Sequence, residues 1–503
     1  MSLFGKAAVA AILTLSAPAA ATWREASSTH FLIYSEDGEK QLREFAQKLE
    51  RYDAAMRVMR DVPPVDPGKA NRVTVYVVSS LDKVRRLGGV SQGSGVAGYY
   101  RGQAGRSLAV IPRSLGYSDM TAQVVLLHEY AHHFMAANFA GAWPRWFVEG
   151  FAEFNSTASF GSDGSVSLGK PPQFRAYNLV NSSPLPIEKL LQPDKFKDVR
   201  DGDIFYGRAW LLTHYLTLSK DREGQLGKYL TAINAGTPNV QAARDAFGDL
   251  DKLNANLNTY LRRSMLYYSI PAKLLTTGPI EVRELGPAEQ AMMELRIRSR
   301  NGVDDKGAAE ILPLARAAAA SFANDPFAQT TLAEAEFDMG NLDETLAAAN
   351  RALMTDPKSM EALLYRAKVL EARARKNSDG PAAWKAARAA YAAANRSDPD
   401  DPRPLRGYYE SFRQAGITPP KLAIEGLLRA QMLAPQDDDL RMRAADQYVR
   451  DGKLDEARAL LAPVAYDPHA SEASKAALTM IEEIDAKLKK PTPAPGAGDG
   501  QHQ

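Results

Sequence analysis

The chain has 503 residues, 45% hydrophobic and 24% charged, which is the composition of a folded protein and too long for one ordinary domain. Its 62 Lys and Arg against 60 Asp and Glu leave a net charge of +2, and with no long basic run this argues against a nucleic-acid partner. Cysteine is absent, which excludes disulfides, thiolate zinc sites and a cysteine nucleophile, so any metal must sit on Asp, Glu or the seven histidines.

Lys6 precedes an apolar run from Ala7 to Leu15, and small residues follow at Ala17-Pro18-Ala19 and Ala19-Ala20-Ala21. That arrangement predicts a signal peptide over residues 1–21 and an exported protein, periplasmic or secreted. No later segment approaches about 18 uninterrupted apolar residues, so no stable transmembrane anchor is expected after signal cleavage.

Residues 22–280 read as a mixed domain. Phe31-Leu32-Ile33-Tyr34 is strand-like, Glu39 to Met59 is helical, and the β-branched run Val73 to Val78 has the form of a buried strand. Leu108 to Pro112 is a further candidate strand. The Gly- and Ser-rich stretch from Gly88 to Gly105 predicts a mobile loop.

From 287 to 485 the strands give way to alanine-rich helical pairs. Prolines at 326, 357, 402, 435 and 468 are spaced by 31, 45, 33 and 33 residues, near the 34-residue period of helix–turn–helix repeats, with an insertion around Arg373 to Pro381. Gly340-Asn341 and Gly452-Lys453 are placed as tight turns inside pairs, where glycine supplies a left-handed conformation. This half resembles the tetratricopeptide repeat family in degenerate form, which implies an all-α solenoid. The Pro/Gly-rich tail, residues 486–503, is expected to be disordered.

The segment His128-Glu129-Tyr130-Ala131-His132 has the form H-E-x-x-H. On a helix, residues four apart share a face, so both imidazoles can reach one ion, while Glu129 can reach a metal-bound water. Two histidines hold zinc poorly, and a third protein ligand is wanted. Downstream, Pro144 opens a segment in which Phe147, Phe151 and Phe154 form one stripe while Glu149 and Glu153 share another face. Gly150 beside them leaves room for a close approach to the histidine helix.

These motifs resemble those of the gluzincin metallopeptidases, the clan of thermolysin and aminopeptidase N. The matching segments are His128 to His132 and Trp146-Phe147-Val148-Glu149-Gly150-Phe151-Ala152-Glu153. The resemblance implies an α+β gluzincin-like domain followed by the solenoid, with Zn2+ on His128, His132 and Glu149. It also implies that Glu153 buttresses a zinc histidine and that Tyr206, in Ile204 to Leu216, stabilises an oxyanion. His214 is a second candidate for that role, and His133 points about 100° away from the metal face. The expected activity is zinc-dependent hydrolysis of a peptide or protein substrate by an endopeptidase, since the exopeptidase G-x-M-E-N motif is not found before His128; the resemblance places Leu108 to Pro112 where that edge strand would stand, without the glutamate. Glu129 would be the general base, and the repeats would recruit substrate or a protein partner. The alternative is a protein-interaction scaffold of tetratricopeptide repeats with a vestigial or structural zinc site.

Overall fold

The computed structural model describes residues 22–89, 98–114, 121–196, 202–376, 380–466 and 471–488. The expected signal segment, residues 90–97 of the expected mobile loop, and the tail from residue 489 onward lie outside them. Among the described residues no helix is long and apolar enough to cross a membrane.

The N-terminal half is built on a six-stranded sheet. Its strands are β1 (Arg24–Ser27), β2 (Phe31–Ser35), β3 (Val73–Val78), β4 (Tyr99–Arg101), β5 (Leu108–Pro112) and β9 (Glu281–Glu284), in the order β4-β5-β3-β2-β1-β9. The pairs β2/β3 and β3/β5 are parallel and the other neighbours are antiparallel. The parallel pairs follow from helical crossovers, α1 (Glu39–Arg60) between β2 and β3, and α2 (Leu81–Gly88) after β3. The strand expected at the edge, Leu108–Pro112, is interior: the two tyrosines and arginine of β4 pair beyond it in antiparallel register.

Alternation along β3 divides the sheet's two faces. Val73, Val75 and Val77 join the core made with α1, while Tyr76 and Val78 point into a second cluster on the other side. That second face is covered by Val84 and Leu87 of α2 and by Met293 and Ile297 of the first helix of the C-terminal half. The two halves are therefore joined by shared core as well as by chain.

The first core also holds the helices that matter for the site: α3 (Ala122–Asn138), α4 (Arg145–Ser156), α5 (Gln173–Asn181), α6 (Ile187–Leu191) and α7 (Asp203–Leu218). A small sheet of β6 (Ser159–Phe160), β7 (Val166–Leu168) and β8 (Tyr268–Ile270) lies beside them. Among the described residues this half also holds α8 (Gln225–Asn234), α9 (Asn239–Phe247) and α10 (Leu250–Tyr260). Thr121 opens α3 as its N-cap, its hydroxyl accepting from the amide of Val124 at 3.2 Å.

The C-terminal half is a run of helices, α11 (Pro287–Arg300), α12 (Asp305–Ala320), α13 (Pro326–Asp338), α14 (Leu342–Thr355), α15 (Met360–Lys376) and α16 (Gly380–Ser397). It continues through α17 (Pro402–Gln414), α18 (Lys421–Leu433), α19 (Asp438–Arg450), α20 (Leu454–Ala465) and α21 (Glu472–Leu488). Pro326 and Pro402 occupy first turns behind the capping aspartates Asp325 and Asp401, where a missing N–H costs nothing. Gly340 and Gly452, at φ 76° and 73°, make the turns into α14 and α20. The longer proline spacing in the middle is absorbed by α15 and α16, 17 and 18 residues long against 13 for α13. Ala333 and Ala348 are fully buried, as close helix packing requires. The last helix reaches Leu488, so residues 486–488 of the expected tail are helical.

Candidate metal centre

One turn of α3 separates His128 from His132, and their Nε2 atoms face each other at 3.1 Å. Glu149 reaches them from α4, its Oε2 standing 3.3 Å from His128 Nε2 and 3.5 Å from His132 Nε2. All three donor atoms fall within 4.8 Å of one another, and the Glu149 carboxylate is fully buried. Donors about 2.0–2.2 Å from a tetrahedral zinc lie about 3.3–3.6 Å apart. The three separations match three corners of such a tetrahedron to within a few tenths of an ångström, so the residues fit a zinc ion.

Glu153, one turn beyond Glu149, puts Oε1 at 3.6 Å from the Nδ1 of His128, on the ring side opposite Nε2. Arg175 of α5 fixes that carboxylate with two donors, Nη2 at 2.8 Å and Nε at 3.4 Å. Sequence reasoning missed Arg175, which lies in no motif; a lone arginine 22 residues downstream carries no signal of its partner.

Electrostatics in the cluster are set by the buried acid. Burial disfavours a charged His128, but the hydrogen bond it donates to Glu149 and the charges of Glu153, Glu149 and Glu129 outweigh it and raise its pKa to about 9. Glu149 is held well below the carboxylate range: burial opposes this, and His132 and His128 overcome it. Such a cluster gathers positive charge, whether protons or a divalent ion.

The neighbouring candidates separate cleanly. Glu129 is half-buried and lines a cavity of about 250 Å³ together with His132, Tyr100 and Trp143; Asp438, Arg441 and Tyr466 form its far wall from the repeat half. Tyr206 on α7 is half-buried, with the Arg175 guanidinium 4.9 Å from its ring centre. Burial and the charge of Glu149 push its hydroxyl up to about 12. His133 is turned out of the cluster, with its Nδ1 2.6 Å from the hydroxyl of Tyr100, and burial with the charges of His30 and Arg57 lowers it to about 4. His214 is a core residue, bonded to the Leu266 carbonyl and the Tyr260 hydroxyl, each at 2.9 Å.

Gly150 does permit a close approach, but of a different helix from the one expected. A Cβ there would collide with Thr213 Oγ1 and the Ala209 carbonyl of α7, not with the histidine helix. The glycine thus lets α4 lie against α7, and α7 supports it from behind.

No family model matches the sequence, and no curated protein matches it. Solved structures that resemble the chain include a thermophilic tetratricopeptide protein of Thermus thermophilus, 19% identical, covering 35% of this chain and 92% of that one with a TM-score of 0.31. MamA of Desulfovibrio magneticus is 16% identical, covering 41% of this chain and 99% of that one at 0.26. Yeast Tom70 is 14% identical, covering 62% and 69% at 0.27. These findings correct the expected gluzincin resemblance and the α+β gluzincin-like fold class. The neighbours are helical-repeat proteins, and they support neither a metallopeptidase domain nor a hydrolase, protease or zinc peptidase activity. Peptide hydrolysis by Glu129-activated water, with a peptide as substrate, is corrected on the same finding. The corrected reading rested on two short motifs around an ion-sized cluster, and that local pattern does not by itself determine fold or reaction.

Proposed function

We propose that the chain is a protein-interaction scaffold whose helical repeats bind a protein partner, and whose N-terminal domain carries a structural zinc site on His128, His132 and Glu149. One observation carries the reading: among the described residues, α11 to α21 follow one another as short helices with no strand between them, and aspartate caps and glycine turns recur at their joints. Stacked pairs of this kind present an extended surface larger than a single domain of the same length could offer. Zinc bound at the cluster would neutralise the buried Glu149 and tie α3 to α4 through ligands from both.

Chemical cross-linking of the full chain to its captured partner, read out by mass spectrometry, tests this. Cross-links should concentrate on lysines of α12 to α21 and should be unchanged by Glu129→Gln. Cross-links confined to the N-terminal sheet and its helices would refute the scaffold.

A further inference from the structure

The turn between β4 and β5 does not fold back on its own domain. It projects into the repeats and touches the first helix of four successive pairs. Arg106 is ion-paired to Glu334 of α13 and lies 3.4 Å from the Tyr365 hydroxyl of α15. The amide of Ala104 donates to Oδ2 of Asp437, the residue capping α19, at 2.7 Å. The Ala104 methyl is buried in a cluster with Tyr409 of α17, Leu427 of α18 and Leu440 of α19. Alternate helices of a stack lie about 10 Å or more apart. A turn of six residues can touch α13, α15, α17 and α19 together only if that face curves around it.

The chemistry of the seat is specific. Between Ala104 and Arg106 the chain turns at Gly105, φ 64°, where a Cβ would stand 2.6 Å from Arg403 Nε. So the position needs glycine twice over, for its backbone and for its clearance. Glu334 and Asp437 are buried acids, 3% and 6% exposed, and each receives a donor from the turn. The groove is also larger than its occupant: a cavity of about 870 Å³ continues beside the turn, past Lys368 and Tyr391.

We infer that this face of the repeats is a receptor for a tight turn of the form small residue–Gly–Arg. Its resident occupant is the chain's own Ala104-Gly105-Arg106, and an outside partner that fits it is a protein presenting such a turn. The small residue fills the pocket over Tyr409, its amide answers Asp437, and the guanidinium answers Glu334. This deepens the scaffold reading and rests on it, because it names what the scaffold binds.

The test uses a fluorescein-labelled cyclic peptide carrying the sequence of residues 100–108, titrated into the full chain and followed by anisotropy. Ala104→Asp evicts the resident turn by setting a carboxylate against Asp437, and Arg106→Ala is the milder variant should the first fail to fold by circular dichroism. The peptide should bind the vacated chain at least about tenfold more tightly than the unaltered chain, and adding Glu334→Gln should weaken it by at least about tenfold. Equal binding to vacated and unaltered chains would overturn the inference. So would binding insensitive to Glu334→Gln, or no binding at about 1 mM peptide. A chain that rejects the peptide yet still cross-links a partner through its repeats would remove the turn as ligand and leave the scaffold standing.

Discussion

His128 and His132 bring their Nε2 atoms to 3.1 Å, and Glu149 on the next helix completes a triangle whose sides match the edges of a tetrahedral zinc site. Two imidazole nitrogens this close repel unless a proton or a cation lies between them. The arrangement therefore yields the first expectation. Zinc should bind at a single site, and His132→Ala should weaken it by more than about a hundredfold, beyond the 10–100-fold that loss of an outer partner costs. Competition against a fluorescent chelator measures this; equal affinity in both proteins would remove His132 from the ligand set.

Glu153 and Arg175 form that outer partner. Glu153→Gln keeps the shape but loses the charge behind His128 and the pairing to Arg175 at 2.8 Å. Zinc affinity should fall by about 10–100-fold, with stoichiometry retained. The same titration checks it, and an unchanged affinity would show that the carboxylate only anchors α5.

Gly150 is tested by stability. Its added methyl in Gly150→Ala meets Thr213 and the Ala209 carbonyl, which is backbone and cannot rotate away. Overpacking of this kind costs about 1–3 kcal/mol. Urea unfolding should show the loss, while zinc stoichiometry in the folded protein persists.

A pH dependence follows from His30, whose Nδ1 lies 2.9 Å from Glu50. Burial opposes its charged form, but Glu50 and Asp53 prevail and the pKa is raised. A raised folded pKa means that the stabilisation is fully present below the unfolded value of about 6.5, and is lost as pH rises through the folded value. Glu50 is shifted downward, chiefly by His30 against the opposing effect of burial, so its share is present above its unfolded pKa and is lost as pH falls through the folded one. The stability gap between the unaltered chain and His30→Gln should be largest near pH 5.5 and shrink by pH 9. A gap that widens with pH would contradict the assignment.

Much of the cluster was legible in the sequence because it depends on local periodicity: four residues make one helical turn, so His128 and His132 had to share a face. Strands such as Val73 to Val78 were legible for a similar reason, their side chains alternating between two buried faces. The rest depends on contacts between distant parts of the chain. Nothing near Ala104 announces Asp437, 333 residues away. Nothing in Leu108 to Pro112 reveals that three residues, Tyr99 to Arg101, pair outside it and make it interior. Gly150 was read correctly as a clearance residue, but the helix it clears could not be chosen from spacing. Activity is the least legible of all, because a short H-E-x-x-H pattern fixes which side chains share a helix face and not the domain or the reaction around them.

The measurement that bears most directly on the scaffold is the cross-link map of the full chain with its partner, recorded for the unaltered protein and for Glu129→Gln. Links on the helices from α12 onward, identical in the two proteins, are the predicted result. Links restricted to the N-terminal half, or capture abolished by Glu129→Gln, would contradict it.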